Sequence, residues 1–244
     1  MKIIIGNWKA YIDNYADAKK LLELYKKLAQ GKKAAFVVAP PNIYLHSLRR
    51  DYKGKLLNFA SQSLGFDGAC TGCVSASQLA NDSVAFALIG HSEQRARGLD
   101  DAGVAKRVAA AVKEGVFPII IVGEPKRDKD AGHYRYVQKQ ILEALREYPK
   151  NKPLKFMLAY EPIWAVGAKR PAKAQEIEMM MIYIRKTLAK LFGERKAKSV
   201  PLIYGGSVNP LNISSILSLQ STDGVLLGRA SVSESDLLEI VSKL

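Results

Sequence analysis

A carboxylate at the end of an apolar run, Met157-Leu158-Ala159-Tyr160-Glu161-Pro162, is the residue of this sequence best placed for proton chemistry. A partly desolvated glutamate has a raised pKa and can take a proton from carbon beside a carbonyl. Taken alone, a rim salt bridge is the commoner role for such a residue. His91 follows Ile89-Gly90 and opens Ser92-Glu93-Gln94-Arg95, which reads as the first turn of a short helix. A helix N-terminus disfavours an imidazolium, so a neutral ring there would donate a hydrogen bond to a developing oxyanion; a capping histidine is the plainer alternative. Lys9 would aim a cation at the same oxyanion, with Asn7 as an orienting amide, or else be a surface amine.

Two glycine-bearing stretches, Tyr204-Gly205-Gly206-Ser207 and Gly224-Val225-Leu226-Leu227-Gly228-Arg229, offer small residues where backbone N–H groups can approach an anion. Glycine pairs also serve ordinary turns, so the weight lies in two such loops after consecutive strands. Trp164-Ala165-Val166-Gly167-Ala168, between Pro162 and Pro171, reads as a lid or as a plain surface loop. The cysteines form one C-x-x-C, Cys70-Thr71-Gly72-Cys73. A zinc site would need further ligands, and His46, His91 and His133 stand at no finger or ribbon spacing. A redox dithiol belongs at a strand-to-helix turn, whereas this pair lies in a glycine-flanked loop; the favoured reading is two thiols serving another purpose.

Elements able to hold these groups together emerge from periodicity. Strands are expected at Lys2 to Gly6, Ala35 to Ala39, Leu56 to Ser61, Val84 to Gly90, Phe117 to Val122, Phe156 to Glu161, Val200 to Gly205 and Gly224 to Gly228. Amphipathic helices are expected at Asp17 to Leu28, Ile43 to Arg50, Ala76 to Ala80, Ala102 to Lys113, Tyr134 to Leu145, Ala172 to Leu191, Asn212 to Leu219 and Glu234 to Lys243. Near-continuous apolar strands alternating with helices call for a parallel sheet, and units of about 30 residues match a closed (β/α)8 barrel. The polar groups follow the first, fourth, sixth, seventh and eighth strands, which in a barrel converge on one face. An open doubly wound sheet is the structural alternative. No linker or composition break divides the 244 residues, so 1–244 is expected to be one catalytic domain.

With 48% hydrophobic and 25% charged residues, the composition excludes disordered and collagen-like chains. No apolar run approaches a membrane span, and the start has too short an apolar run for a signal peptide, so a cytoplasmic protein is expected. The net charge of +14 raises a nucleic-acid hypothesis. Its dispersed pairs, such as Lys19-Lys20 and Arg49-Arg50, lack interleaved aromatics and read instead as solvated faces and a field attractive to a small anion. Neither a nucleic-acid nor a membrane partner is expected.

In order along the whole chain, five segments each resemble a signature of the triosephosphate isomerase family: Asn7-Trp8-Lys9, Ile89-Gly90-His91-Ser92-Glu93, Ala159-Tyr160-Glu161-Pro162-Ile163-Trp164-Ala165-Val166-Gly167, Tyr204-Gly205-Gly206-Ser207-Val208 and Asp223-Gly224-Val225-Leu226-Leu227-Gly228. The resemblance implies a TIM barrel that interconverts dihydroxyacetone phosphate and D-glyceraldehyde 3-phosphate through an enediolate, a step of glycolysis and gluconeogenesis, without metal or organic cofactor. It implies Glu161 as base, neutral His91 as proton shuttle, Lys9 as the adjoining cation, Asn7 as a substrate-orienting amide and Glu93 as a supporting group near Lys9. It implies phosphate contacts to backbone N–H groups near Gly167, Ser207, Gly228 and Arg229, under a lid that keeps water from the enediol phosphate. It further implies a homodimer in which the Gly68–Cys73 loop projects, with Thr71 at its tip, into the neighbouring subunit.

Three departures stand out. Ala168-Lys169-Arg170-Pro171 replaces the family's Thr-Gly-Lys and hinge, in a segment about three residues shorter. Arg229 replaces the second glycine of the phosphate loop, tolerable where only its N–H is used and φ is negative. Cys73 and Gln94 stand where the family usually pairs Glu with Arg near the dimer interface; losing both charges together avoids a stranded one, so the dimer is expected to persist. Two other functions stay open at this level. A Schiff-base aldolase would need a lysine inside the barrel, and Lys155 opens its strand on the wrong rim. A silent RNA-binding barrel would show salt-sensitive binding without turnover.

Overall fold

Eight strands among the described residues pair in parallel, each with the next, and the eighth returns to the first to close a barrel. The structure is a computed structural model that describes residues 1–31, 33–66, 68, 70–128, 130–149, 153–167 and 171–244. The strands are β1 Lys2–Asn7, β2 Ala34–Ala39, β3 Leu57–Ser61, β4 Phe86–Ile89, β5 Phe117–Val122, β6 Met157–Tyr160, β7 Leu202–Tyr204 and β8 Gly224–Leu227. Around them lie α1 Tyr15–Gln30, α2 Asn42–Asp51, α3 Ala76–Asn81, α4 Ser92–Ala96, α5 Asp101–Lys113, α6 Gly132–Ala144, α7 Ala174–Phe192, α8 Glu194–Lys198, α9 Ile213–Leu217 and α10 Glu234–Ser242. The open doubly wound alternative is excluded by the β1–β8 pairing, Ile3 against Gly224 through Gly6 against Leu227.

Alternation along the strands divides the core in two. Ile5, Val37, Ala60, Leu88, Ile119, Ile121, Met157, Ala159, Ile203 and Leu226 pack together inside the barrel. Their neighbours, such as Ile4, Phe36, Ile120 and Leu158, join the outer layer with Leu22, Leu48, Val108, Ile141, Ile184 and Ile240 from the helices. Each fully buried side chain of this size stabilises by about 1.5–3 kcal/mol, and burial on both faces of the sheet is why the strands read as continuous apolar runs. The same alternation decides which residues reach the mouth. Asn7 follows Ile3 and Ile5, Glu161 follows Met157 and Ala159, and Gly228 follows Leu226, all on the inward parity.

The helix starts are capped locally. Asn14 accepts the N–H of Asp17 at 2.9 Å, Asp100 accepts that of Gly103 at 2.7 Å, and Ser75 with Gln78 forms a capping box before α3. The boundaries of the expected elements lie within two residues of expectation, and two differences have a local cause. Helix α7 starts at Ala174 because Lys173 is extended and its N–H is taken by the Glu176 carboxylate at 2.7 Å. Helix α8 has a single buried residue, Ala197, and so carries no periodicity to read.

The expected pair of thiols is replaced by a bond: Cys70 and Cys73 form a disulfide, with Cα atoms 5.5 Å apart. Gly72 makes this reach available, since its φ of +77° turns the chain back so that the Cys73 N–H meets the Cys70 carbonyl at 3.2 Å.

Candidate active site

The C-terminal ends of three strands, β1, β4 and β6, and the loops that follow them bring Asn7, Lys9, His91, Glu93 and Glu161 into one cluster. Glu161, buried at the end of β6, places Oε1 3.2 Å from His91 Nε2, and its Oε2 accepts from the Ser92 hydroxyl at 2.9 Å. His91 is also buried and is the N-cap of α4, where its Nδ1 accepts the Glu93 N–H at 3.1 Å. With Nδ1 used as an acceptor, the neutral ring carries its proton on Nε2. That atom, although close to Glu161, forms no hydrogen bond among the described residues, so its N–H is available to a substrate oxygen.

Lys9 approaches from the first loop. Its Nζ meets Glu93 Oε1 at 2.6 Å, and its φ of 45° puts it in the left-handed region. That conformation costs a non-glycine residue roughly 1–3 kcal/mol and persists where neighbours over-determine it. Here Asn7 Oδ1 accepts the Lys9 N–H at 3.1 Å, and Gln62 donates to the Lys9 carbonyl at 2.9 Å. Burial alone would raise the Glu93 carboxyl, but the hydrogen bond and charge of Lys9 outweigh it and hold Glu93 below the usual carboxylate range. The cation is thus paired at rest while one face stays open, in a cleft of about 320 Å³ lined by Asn7, Lys9, Pro41, Gln62, His91 and Glu93. A larger surface cleft, about 420 Å³ beside His46 and Asp82, contains none of the cluster.

The anion-binding candidates surround this cluster. A Cβ on Gly228 would lie 3.8 Å from Lys9 Cε, so the last strand ends against the lysine. Ser207 Oγ accepts the Gly167 N–H at 3.0 Å and donates to the Ala165 carbonyl at 2.7 Å, joining the loop after β7 to the segment after β6. The N–H groups of Ser207 and Arg229 have no partner among the described residues. Arg229 opens a 3-10 turn, Arg229–Ser231, without the positive φ that would demand glycine, and its exposed side chain makes no ion pair among the described residues. Of the expected lid, Trp164 to Gly167 are described, with Ile163–Ala165 a 3-10 turn. Ala168, Lys169 and Arg170 lie outside the described residues.

Several contributors escape a sequence reading. Ser92 holds the Glu161 carboxylate. Gly123 lets the Glu161 backbone pass, since a Cβ there would stand 1.8 Å from the Glu161 carbonyl oxygen. Glu124, fully buried, accepts from Tyr160 Oη at 2.9 Å and Trp164 Nε1 at 2.7 Å. Burial, reinforced by the charge of Glu124, pushes the Tyr160 phenol far up, so it remains a donor. The legible signal was position alone: Gly123-Glu124 follow β5 directly, as the recognised groups follow their strands. Gln94, in place of the family's Arg, is satisfied inside its own chain, donating to the carbonyls of Gln62 at 2.7 Å and Leu88 at 3.0 Å and accepting from Gly90 at 2.8 Å.

A buried carboxylate facing an imidazole N–H, flanked by a cation and unpaired backbone N–H groups, suits proton transfer at carbon beside a carbonyl in an anionic substrate. Comparison with known proteins agrees. The triosephosphate isomerase of Thermoanaerobacter pseudethanolicus is 36% identical over 244 residues, 98% of each chain. That of Delftia acidovorans is 35% identical over 99% of this chain and 98% of its own, and that of Flavobacterium johnsoniae 34% over the same shares. The profile of the family described as triosephosphate isomerase matches residues 2–244, end to end over the barrel and every loop of the cluster, and the chain belongs to that family.

Proposed function

We propose that the cluster at the barrel mouth carries the family's reaction in this chain, with Glu161 as base, His91 as hydrogen-bond donor, Lys9 as cation and Asn7 as orienting amide. The chain is a triose-phosphate isomerase, an intramolecular aldose-ketose isomerase that interconverts dihydroxyacetone phosphate and D-glyceraldehyde 3-phosphate in glycolysis. In the proposed mechanism Glu161 takes a proton from the carbon bearing the hydroxyl. Charge develops on the carbonyl oxygen, where the His91 Nε2–H and Lys9 Nζ stabilise it. The resulting enediolate is protonated at the adjacent carbon by the same carboxyl group, while His91 relays the proton between the two oxygens. No redox change and no cofactor are needed in this scheme, because one carbon gains the hydrogen that its neighbour loses.

The observation that best supports this reading is the Glu161–His91 pair, 3.2 Å apart, with the tautomer of His91 set by the Glu93 N–H. Substrate phosphate would be held by N–H groups near Gly167, Ser207, Gly228 and Arg229. The test is a coupled isomerase assay in both directions, with inorganic phosphate as competitor. Turnover with competitive inhibition is expected; turnover without competition would mean that the cradle is misplaced, and absence of turnover would refute the reaction.

A homodimer and a cytoplasmic location belong to the same proposal, as does the unity of residues 1–244 as one domain. Support for the dimer comes from Ile43, which is 80% exposed and borders the cleft above Lys9, with Tyr11 nearby, also exposed. The partner's Gly68–Cys73 loop would fill that cleft. Sedimentation is expected to report a dimer at micromolar protein, and a monomer independent of concentration would overturn it. No helix among the described residues is long and apolar enough to cross a membrane.

A further inference from the structure

The β1–β8 ladder ends at the pair Gly6 and Leu227, so Asn7 and Gly228, next in line at the barrel mouth, lie beyond its last register. A side chain carries the connection further. Ser231, fully buried in the 3-10 turn Arg229–Ser231, places Oγ 2.6 Å from the Gly228 carbonyl oxygen and 3.0 Å from that of Asn7. A hydroxyl has one hydrogen, which is shared between these two acceptors. The Ser231 N–H also donates to the Gly228 carbonyl, at 2.9 Å, and closes the turn. On the far side Tyr25, from α1, donates its hydroxyl to the Ser231 carbonyl at 2.9 Å. Tyr25 reaches this corner because Gly6 has no side chain; a Cβ there would overlap the phenolic oxygen. Burial pushes the Tyr25 phenol up, so it stays protonated and remains a donor.

We infer that Ser231 is a positioning residue for the reaction: its hydroxyl aims the Arg229 N–H at the cleft and holds it in register with the Asn7–Lys9 loop. The inference rests on the isomerase reading above. A peptide unit is planar and trans, so its carbonyl and its N–H point in opposite directions. Drawing the Gly228 carbonyl inward onto Ser231 therefore turns the N–H of the same peptide, that of Arg229, outward, where it has no partner among the described residues. Outward here means toward the cation, since a Cβ on Gly228 would lie 3.8 Å from Lys9 Cε. The turn itself would survive on the Ser231 N–H alone; what the hydroxyl adds is the contact with the Asn7 carbonyl. Without that contact, the turn that offers an N–H to phosphate is free to shift against the loop whose Asn7 side chain orients Lys9. A short substrate gripped at both ends needs those two groups at a fixed separation.

Ser231→Ala, compared with wild type and with Tyr25→Phe, tests the assignment. Ser231→Ala is expected to raise KM for dihydroxyacetone phosphate and Ki for inorganic phosphate about tenfold, with a smaller fall in kcat, because one phosphate donor loses its alignment while Glu161 and His91 keep theirs. Tyr25→Phe removes a buried bond of the same turn that touches neither the Gly228 nor the Asn7 carbonyl. It is expected to lower Tm about as much as Ser231→Ala, with KM and Ki within about twofold of wild type. In nuclear magnetic resonance spectra the Arg229 amide is expected to move downfield when inorganic phosphate is added to wild type, and less than half as far in Ser231→Ala. Wild-type KM and Ki in Ser231→Ala, an equal rise of both in Tyr25→Phe, or an Arg229 amide that phosphate leaves unmoved in wild type would overturn the inference. Should Ser231→Ala not fold, Ser231→Cys fills the site with a far weaker donor and is read in the same way. An inactive wild type would refute the isomerase reading instead, and the Arg229 amide would still report whether Ser231 aims it.

Discussion

Replacing Glu161 by Gln is expected to lower kcat roughly a hundred- to ten-thousand-fold while KM stays within a few-fold of wild type. The amide keeps the size of the carboxylate and can still accept the Ser92 hydroxyl, now at 2.9 Å from Oε2, so the packing at the end of β6 is retained. What is lost is basicity. An amide cannot take a proton from carbon, and no other carboxylate among the described residues pairs with His91 Nε2; Glu93 lies on the other side of the ring, its Oε2 3.9 Å from Nδ1 and its Oε1 held by Lys9. The measurement is the coupled isomerase assay of both proteins beside their thermal unfolding. Equal turnover would remove Glu161 from the mechanism; a large fall in Tm would show a structural effect in place of a chemical one.

The largest effect on stability is expected from Gly123→Ala. An alanine Cβ would stand 1.8 Å from the Glu161 carbonyl oxygen and 2.6 Å from its carbonyl carbon. These are backbone atoms between two paired strands. Relief therefore requires β5 and β6 to part, which strains the ladder from Ile119–Met157 to Val122–Tyr160 and the Gly123 N–H bond to Gln140 Oε1 at 2.8 Å. A cost of about 3 kcal/mol or more is expected, equivalent to a fall in Tm on the order of 10 °C for a chain of this size. The movement carries Glu161 with it, and a displacement of about 1 Å costs on the order of a hundredfold in rate. Wild type should unfold in one transition, as a single domain would, and the variant in one transition at lower temperature. A variant with wild-type Tm and kcat would mean that the close approach is absent in solution.

The residues proposed to carry the chemistry were legible in this sequence because a barrel writes them locally. Each strand is an apolar run that ends where the chain leaves the core, so a Glu, His, Lys or Asn just past the run is marked by the change in polarity alone. Asn7, Lys9, His91 and Glu161 were all readable in that way, as were the strand and helix sequence and the one-after-another order of the units. The Gly123-Glu124 pair had the same mark but lacked a motif to draw attention to it.

Only tertiary structure decided the rest, because it depends on contacts between residues far apart in the chain. Closure rests on Ile3 to Gly6 meeting Gly224 to Leu227, which no local pattern distinguishes from an open sheet. The pairing of Lys9 with Glu93, the contact of Glu161 with His91 and the bond of Ser231 to the Asn7 carbonyl all follow from that closure. The bond between Cys70 and Cys73 is local, yet it too needed the backbone: a φ of +77° at Gly72 turns two nearby cysteines toward each other. Residue types along the chain determined which groups reach the mouth of the barrel; the closed ring of strands determined which of them face one another there.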